Sequence, residues 1–374
     1  MRRQFKAAAS RLLSVTGGDR FYGVLSGQRR SPLIVGYHRV VESLASMQHT
    51  SIVAMLTSRR TFEEQIDCIA RRYRITTLDE IGSHLESGEP FEKRVAAVTF
   101  DDGYADVYHN AFPILRRKGL PSAVFVVTDL IGHKTVHQFD RLYLLLSREL
   151  KRPGAIHRLR EMTLPHAATI VALGKLRSLS SDPTLATQAI LSALSHEAIN
   201  SVLETLESSD LLPLESPESQ RPLDWRMLEE MAGGGVTIGS HTRRHPLLTF
   251  EAPEVVLEEL VGSREVLGRR LGCPIRHFAY PDGQFSTPVV AAVKKAGYRF
   301  GYGICGHRDL LDPLLTIPRR VLWENSCLDG RGRFSSSVMH CNTNGVFDIF
   351  ARCARNHQAV GVDDGSRPQG CEAN

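Results

Sequence analysis

A chain of 374 residues, 42% hydrophobic and 23% charged, holds enough apolar matter for a buried core, which excludes a disordered or fibrous protein. A formal charge of +5 comes with no aromatic platform and no known DNA- or RNA-binding motif, which argues against nucleic acid as a partner. No run of about 18 apolar residues occurs, so a membrane-spanning helix is not expected.

The first residues, MRRQFKAAASRLLSV, place Arg2, Arg3, Lys6 and Arg11 around a short, interrupted apolar stretch. That makes a poor export signal and a better amphipathic helix, so residues 1–31 read as a basic helical lead-in able to touch a membrane face. Seven cysteines, at 68, 273, 305, 327, 341, 353 and 371, form no CxxC pair; a reducing, cytoplasmic setting is the expectation. LIVGYHRVV, from Leu33 to Val41, reads as the first buried strand, with His38 at its carboxyl end. His38 either faces a site there or hydrogen-bonds beneath it.

Thr61 to Tyr73 carries an N-cap threonine, Glu64 three residues on, and Phe62, Ile66 and Ile69 at helical spacing. Thr77 to Leu85 reads as a second short helix. VAAVTFDDG, from Val95 to Gly103, is a β-prone apolar run that ends in two carboxylates and a glycine. Strand neighbours point to opposite faces, so Asp101 and Asp102 can share a site only where the strand ends and the backbone turns, as Gly103 allows. Otherwise one caps the following helix and the other is solvated. A helix over Asp106 to Lys118, closed by Gly119, and a strand over Ser122 to Val127 follow. His133 and His137 have no strand feeding them and read as solvated.

Residues 132 to about 221 hold little that reads as strand; FDRLYLLLSREL and TQAILSALSHEAINSVLETL have helical spacing. They are taken as a helical insertion, either a lid or acceptor-binding subdomain or a structural appendage. The strand and helix alternation then resumes: a helix over Trp225 to Ala232, a strand over Val236 to Ile238, a long charged helix over Pro253 to Leu271. A strand at His277 to Tyr280, a helix at Pro288 to Ala296 and a last strand at Ile317 to Leu322 complete it. Such alternation is the mark of parallel β/α architecture. Residues 331–374 read as a polar tail, disordered in GVDDGSRPQGCEAN. In GVTIGSHTRRH, His241 and His245 stand four apart after a strand, a separation that stacks imidazoles on one face of a helical turn. With a carboxylate they would make a good shell for a borderline divalent metal such as zinc.

TFDDG at Thr99 to Gly103 and SHTRRH at Ser240 to His245 resemble the polysaccharide deacetylase family, also called the NodB homology domain or carbohydrate esterase family four. YADVYHNAFPILRRKGLPSAVFVV, LDWRMLEEMAGGGVTIGSH, HFAYPDGQF and VKKAGYRFGYG extend the likeness over about half the chain. The resemblance implies an α/β fold, an irregular (β/α) barrel of about seven parallel strands over residues 32–330 with the helical insertion inside it. It implies a divalent metal on Asp102, His241 and His245, zinc first, with cobalt, nickel or manganese as alternatives. It further implies Asp101 as catalytic base, Arg276 as its tether, and Tyr280, Pro281 and Asp282 as the oxyanion and substrate region. The activity implied is removal of N-acetyl groups from N-acetylglucosamine-type sugars.

The chain departs from the family after that region. No Asp-Trp pair follows it, and VMH, ending at His340, only weakly resembles the family's Leu-x-His. The general acid therefore stays open among His38, His307 and His340. Two other readings stay open too: a catalytically impaired carbohydrate-binding or assembly protein, and a metallohydrolase of a non-sugar amide.

Overall fold

The computed structural model describes residues 2–25, 31–45, 47, 51–208 and 220–350. Two helices, α1 (Arg2–Thr16) and α2 (Gly18–Leu25), lead in. The elements that follow are β1 (Leu33–Tyr37), β2 (Arg39–Val41), β3 (Leu56–Ser58), α3 (Arg59–Ala70), β4 (Arg74–Ile75), α4 (Leu78–Ser87), β5 (Val95–Phe100), α5 (Phe112–Arg117) and β6 (Ser122–Val126). The insertion is α6 (Gln138–Glu149), α7 (Ala155–Thr163), α8 (Ile170–Arg177), α9 (Pro183–Leu191) and α10 (His196–Ser208). Then come α11 (Trp225–Gly233), β7 (Val236–Ser240), α12 (Pro253–Leu271), β8 (His277–Ala279), α13 (Thr287–Lys295), β9 (Phe300–Tyr302), β10 (Arg320–Val321) and α14 (Ser336–Thr343).

Seven strands run parallel in the order β10-β1-β5-β6-β7-β8-β9, and β4 lies along the start of β5. Just before β10, the Ile317 N–H donates to the Gly301 carbonyl and the Ile317 carbonyl accepts from the Gly303 N–H. Three residues on, Arg320 and Val321 pair with Val35 and Gly36 of β1. One segment thus joins both ends of the sheet and closes an irregular (β/α) barrel. Alternation along the strands sorts the side chains. Val35, Val98, Val124, Ile238 and Phe278 face outward under helices, whereas Ile34, Ala97, Phe125, Ala279 and Tyr302 fill the interior with Leu78 and Ile81 of α4. Parallel strands send every carboxyl end to one rim, and that rim carries the site.

The insertion is helical, as its spacing predicts, and has a core of its own around Leu142, Leu146, Leu176, Ile190 and Leu203. A second cluster, Ile52, Tyr104, Phe139 and Tyr143, seats it on the barrel. Residues 33–41 are not one strand: pairing with β5 stops at Tyr37, and β2 joins β3 in a separate ribbon. The expected polar tail begins later than read, because α14 buries Val338, Met339 and Cys341 and packs on α1. Residues 351–374, including the stretch read as disordered, lie outside the described residues. Among the described residues no helix is long and apolar enough to cross a membrane.

At the barrel closure a Cβ on Gly301 would stand 2.2 Å from the Leu315 carbonyl oxygen. Gly301→Ala is expected to cost about 1–3 kcal/mol by overpacking. The measurement is urea unfolding, with a lower midpoint at unchanged slope; an unchanged midpoint would show that the closure is slack.

Candidate metal centre

β5 ends where the Asp101 N–H donates to the Tyr37 carbonyl at 2.9 Å, the last rung between β1 and β5. The backbone then turns through Asp102 (φ 69) and Gly103 (φ 72), both left-handed. Gly103 has little room for a side chain, since a Cβ would stand 3.0 Å from Val126 Cγ1. The turn sends the two buried carboxylates to different partners on one rim.

His241 follows β7, and its N–H donates to the Val126 carbonyl at 2.9 Å. Its ring Nδ1–H donates to the Ala279 carbonyl at 2.7 Å, which fixes the tautomer and leaves the Nε2 lone pair able to ligate a cation. The helical turn expected between His241 and His245 is absent: the segment is an irregular loop with Thr242 (φ 71) and His245 (φ 68) left-handed. The Thr242 hydroxyl accepts the His245 N–H at 2.9 Å. Glu259, buried on α12, accepts the N–H groups of Arg243 and Arg244 at 2.8 and 3.0 Å. Sequence reading missed Glu259 because a glutamate in a charged helix carries no signal of burial.

These constraints bring His241 Nε2 and His245 Nε2 to 3.5 and 3.4 Å from Asp102 Oδ1, and the three ligand atoms lie within 4.8 Å of one another. Tetrahedral zinc with bonds of about 2.0–2.1 Å sets its ligands about 3.3–3.4 Å apart. Asp102 Oδ2 is buried without a hydrogen-bond partner. An orphaned carboxylate oxygen beside two imidazoles fits a cation. Burial would raise the Asp102 pKa, but the hydrogen bond to His241 and the charges of His38 and His245 hold it well below the usual carboxylate range. Burial, then His241, pushes His245 down to about 3, so its ring is neutral, the form that ligates.

The arginine on the second carboxylate is Arg319, not Arg276. Arg319 is fully buried and its Nη1 and Nη2 donate to Asp101 Oδ1 and Oδ2 at 2.6 and 2.7 Å. Nη1 also donates to Thr99 Oγ1 at 3.2 Å, and Nε to the Gly303 carbonyl at 3.3 Å. Burial would raise the Asp101 pKa, yet the guanidinium, then His241, holds it below its ordinary value. Arg276 stands at the amino end of β8, the opposite rim of a parallel barrel, and is half-exposed against Asp79 at 3.2 Å.

Other residues sort by rim and layer. His38, half-buried just after β1, lies close enough to lower both Asp101 and Asp102. Tyr280 is buried, with its hydroxyl on the Leu315 carbonyl and its N–H on the Tyr302 carbonyl; Pro281 is buried beside it, and only Asp282 (φ 50) faces solvent. His307 is exposed, and His340 is half-buried on α14 beside Cys68 and Ser14. His133 is exposed as expected, but His137 is not solvated. It is fully buried, its ring centroid 6.2 Å from that of His245 and 4.7 Å from that of Tyr104, with both ring nitrogens unpartnered. The start of α6 docks there, and Phe139 packs on His245 as well, at 5.3 Å.

Residues 88–301 match the family model described as polysaccharide deacetylase. The chain belongs to the polysaccharide deacetylase family. Over 126 residues it is 29% identical to the poly-beta-1,6-N-acetyl-D-glucosamine N-deacetylase of Staphylococcus epidermidis, covering 32% of this chain and 43% of that protein. Over 138 residues it is 28% identical to the Staphylococcus aureus protein of the same name, covering 35% and 47%. The chain thus spans under half the length of these relatives. Its fold resembles that of IcaB from Ammonifex degensii (TM-score 0.51, 18% identity, covering 79% of this chain and 94% of that one). It also resembles the Streptococcus pyogenes deacetylase PplD in complex with acetate (TM-score 0.50, 18% identity, the same coverage).

Arg319→Ala leaves a buried carboxylate uncompensated and is expected to cost about 3–5 kcal/mol. Arg276→Ala breaks an exposed pair and is expected to cost about 0–1 kcal/mol. Adding Asp101→Asn to Arg319→Ala should recover part of the loss in a double-mutant cycle by chemical denaturation. Equal losses for the two single arginine variants would sink the assignment of the buried pair.

Proposed function

We propose that this chain is a metal-dependent N-deacetylase acting on N-acetylglucosamine-type residues of a polysaccharide, oligosaccharide or glycan precursor. The observation that carries this reading is a buried carboxylate, clamped by Arg319, on the same rim as the Asp102, His241 and His245 cluster. A divalent cation, zinc first by donor set, would be held by those three residues and would supply a Lewis acid that polarises the amide carbonyl and acidifies water. The names of the staphylococcal relatives support the sugar class.

Asp101 is the proposed base. Arg319 keeps it ionised although buried, and each carboxylate oxygen, accepting one guanidinium N–H, retains a lone pair for a proton. It takes the proton of the water that adds to the acetamide carbon. The C–N bond then breaks, the nitrogen takes a proton and leaves as a free amine, and the acyl group leaves as acetate. His38 is proposed as the acid for that nitrogen, because it flanks both carboxylates from the end of β1. His340 lies in the layer of α1, α3 and α14 and is unsuited to the role. Asp282, exposed after β8, is proposed as a contact for the sugar on the same rim.

Asp101→Asn is expected to lower acetate release from N-acetylated glucosamine oligomers by about a thousandfold or more while metal content by elemental analysis stays near that of the parent. His38→Ala should lose about 10²–10⁴-fold in kcat, again with metal retained, whereas His340→Ala should keep its rate. Turnover that survives Asp101→Asn would remove the base from the scheme.

Chelation should abolish turnover, and His241→Ala should fail to recover it when zinc, cobalt, nickel or manganese is added back. A chelated parent enzyme that still releases acetate would exclude metal dependence.

A further inference from the structure

The lead-in helices dock by their inner faces. Ser10 and Asp19 are buried; Cys341 Sγ approaches the Ser10 carbonyl at 3.8 Å, and Asn344 Nδ2 donates to Asp19 Oδ2 at 3.0 Å. Lys6 Nζ sits 4.1 Å from the Phe347 ring centroid. The outer faces are apolar, the reverse of an ordinary surface helix. Phe5, Leu12 and Val15 on α1 and Phe21, Val24 and Leu25 on α2 are all more than half exposed; Val24, at 53%, is the least so. They are six of the twelve large hydrophobic side chains exposed among the described residues.

The stretch of sequence that carries these helices is also basic. Residues 1–30 contain seven basic residues against one acidic, a formal +6 that exceeds the +5 of the whole chain, so the remainder is net −1. The single acid, Asp19, is buried, whereas Arg11 and Arg20 are exposed beside the apolar side chains.

We propose that the outer face of α1 and α2 docks on an anionic lipid bilayer, its apolar side chains entering the headgroup boundary and its arginines meeting the lipid charge. Two other occupants fit worse. A two-fold pairing of this face with a second copy would set like charge against like. Residues 351–374 hold Val360 and Val362 but no other large aliphatic and no aromatic side chain, too little to cover six exposed hydrophobics. The surface is separate from the metal centre, so losing it should leave metal content and turnover of a soluble oligosaccharide unchanged.

The test is flotation of the full chain with vesicles of phosphatidylcholine alone, or of equal parts phosphatidylcholine and phosphatidylglycerol, at low and high salt. The chain should float with the anionic vesicles only, and less at high salt. Arg11→Gln and Arg20→Gln should each weaken binding about fivefold. Phe5→Ser/Leu12→Ser/Phe21→Ser should weaken it at least about tenfold, with helix content by circular dichroism unchanged. Leu310→Ser/Leu311→Ser, at an exposed apolar pair elsewhere, should bind like the parent. Failure to float with either vesicle would overturn the proposal. So would binding that both sets of variants leave intact, or a stable dimer that the triple variant dissociates.

Discussion

A buried guanidinium–carboxylate pair sits where the barrel closes. Arg319 belongs to the segment that hydrogen-bonds β9 through Ile317 and pairs with β1 through Arg320, and it reaches across the interior to Asp101 at the end of β5. Charges without solvent survive only when fully bonded. Here both carboxylate oxygens accept a guanidinium N–H, while Thr99, the Gly303 carbonyl and the face of Phe125, 5.1 Å away, receive the rest of the arginine. Closing the barrel and holding Asp101 ionised are therefore one event: a barrel that failed to close would also lose the charge state of its proposed base.

Around that pair the rim is strained. The four non-glycine residues with left-handed backbone among those described are Asp102, Thr242, His245 and Asp282, all in loops that follow β5, β7 and β8. Such conformations cost of order 1–3 kcal/mol each and persist only when the surroundings enforce them. The enforcement is visible: the Thr242 hydroxyl on the His245 amide, Glu259 on the two amides between them, and the Ala279 carbonyl on the His241 ring. The insertion adds His137 and Phe139 against the His245 ring. It is thus rooted beside the candidate metal centre.

Local sequence was informative where one residue type is demanded by its own neighbours. The apolar run into Asp101 and Asp102, the strand before His241, and the 3.6-residue periodicity of α3, α12 and the insertion all mark elements that are present. Strand β9 went unread because three residues with a central glycine, Gly301, leave no periodic pattern; Gly301 is there because the Leu315 carbonyl leaves no space for a Cβ. The extent of the fold past residue 331 was misjudged because α14 buries only a few small or medium side chains among polar ones.

By itself, then, the sequence determined the parallel β/α class and, through the motifs that carry its family resemblance, singled out Asp101, Asp102, His241 and His245, since strand patterns and motifs are properties of short segments. Only the tertiary structure decided which arginine meets Asp101, that His137 is buried at the centre, that Tyr280 is core, and that Glu259 anchors the ligand loop. Each of these depends on which rim or layer a residue occupies once parallel strands close into a barrel. Arg276 and Arg319 are both arginines near a strand start; the difference is that β8 begins at the far rim while the segment before β10 runs through the interior, and no local pattern encodes that.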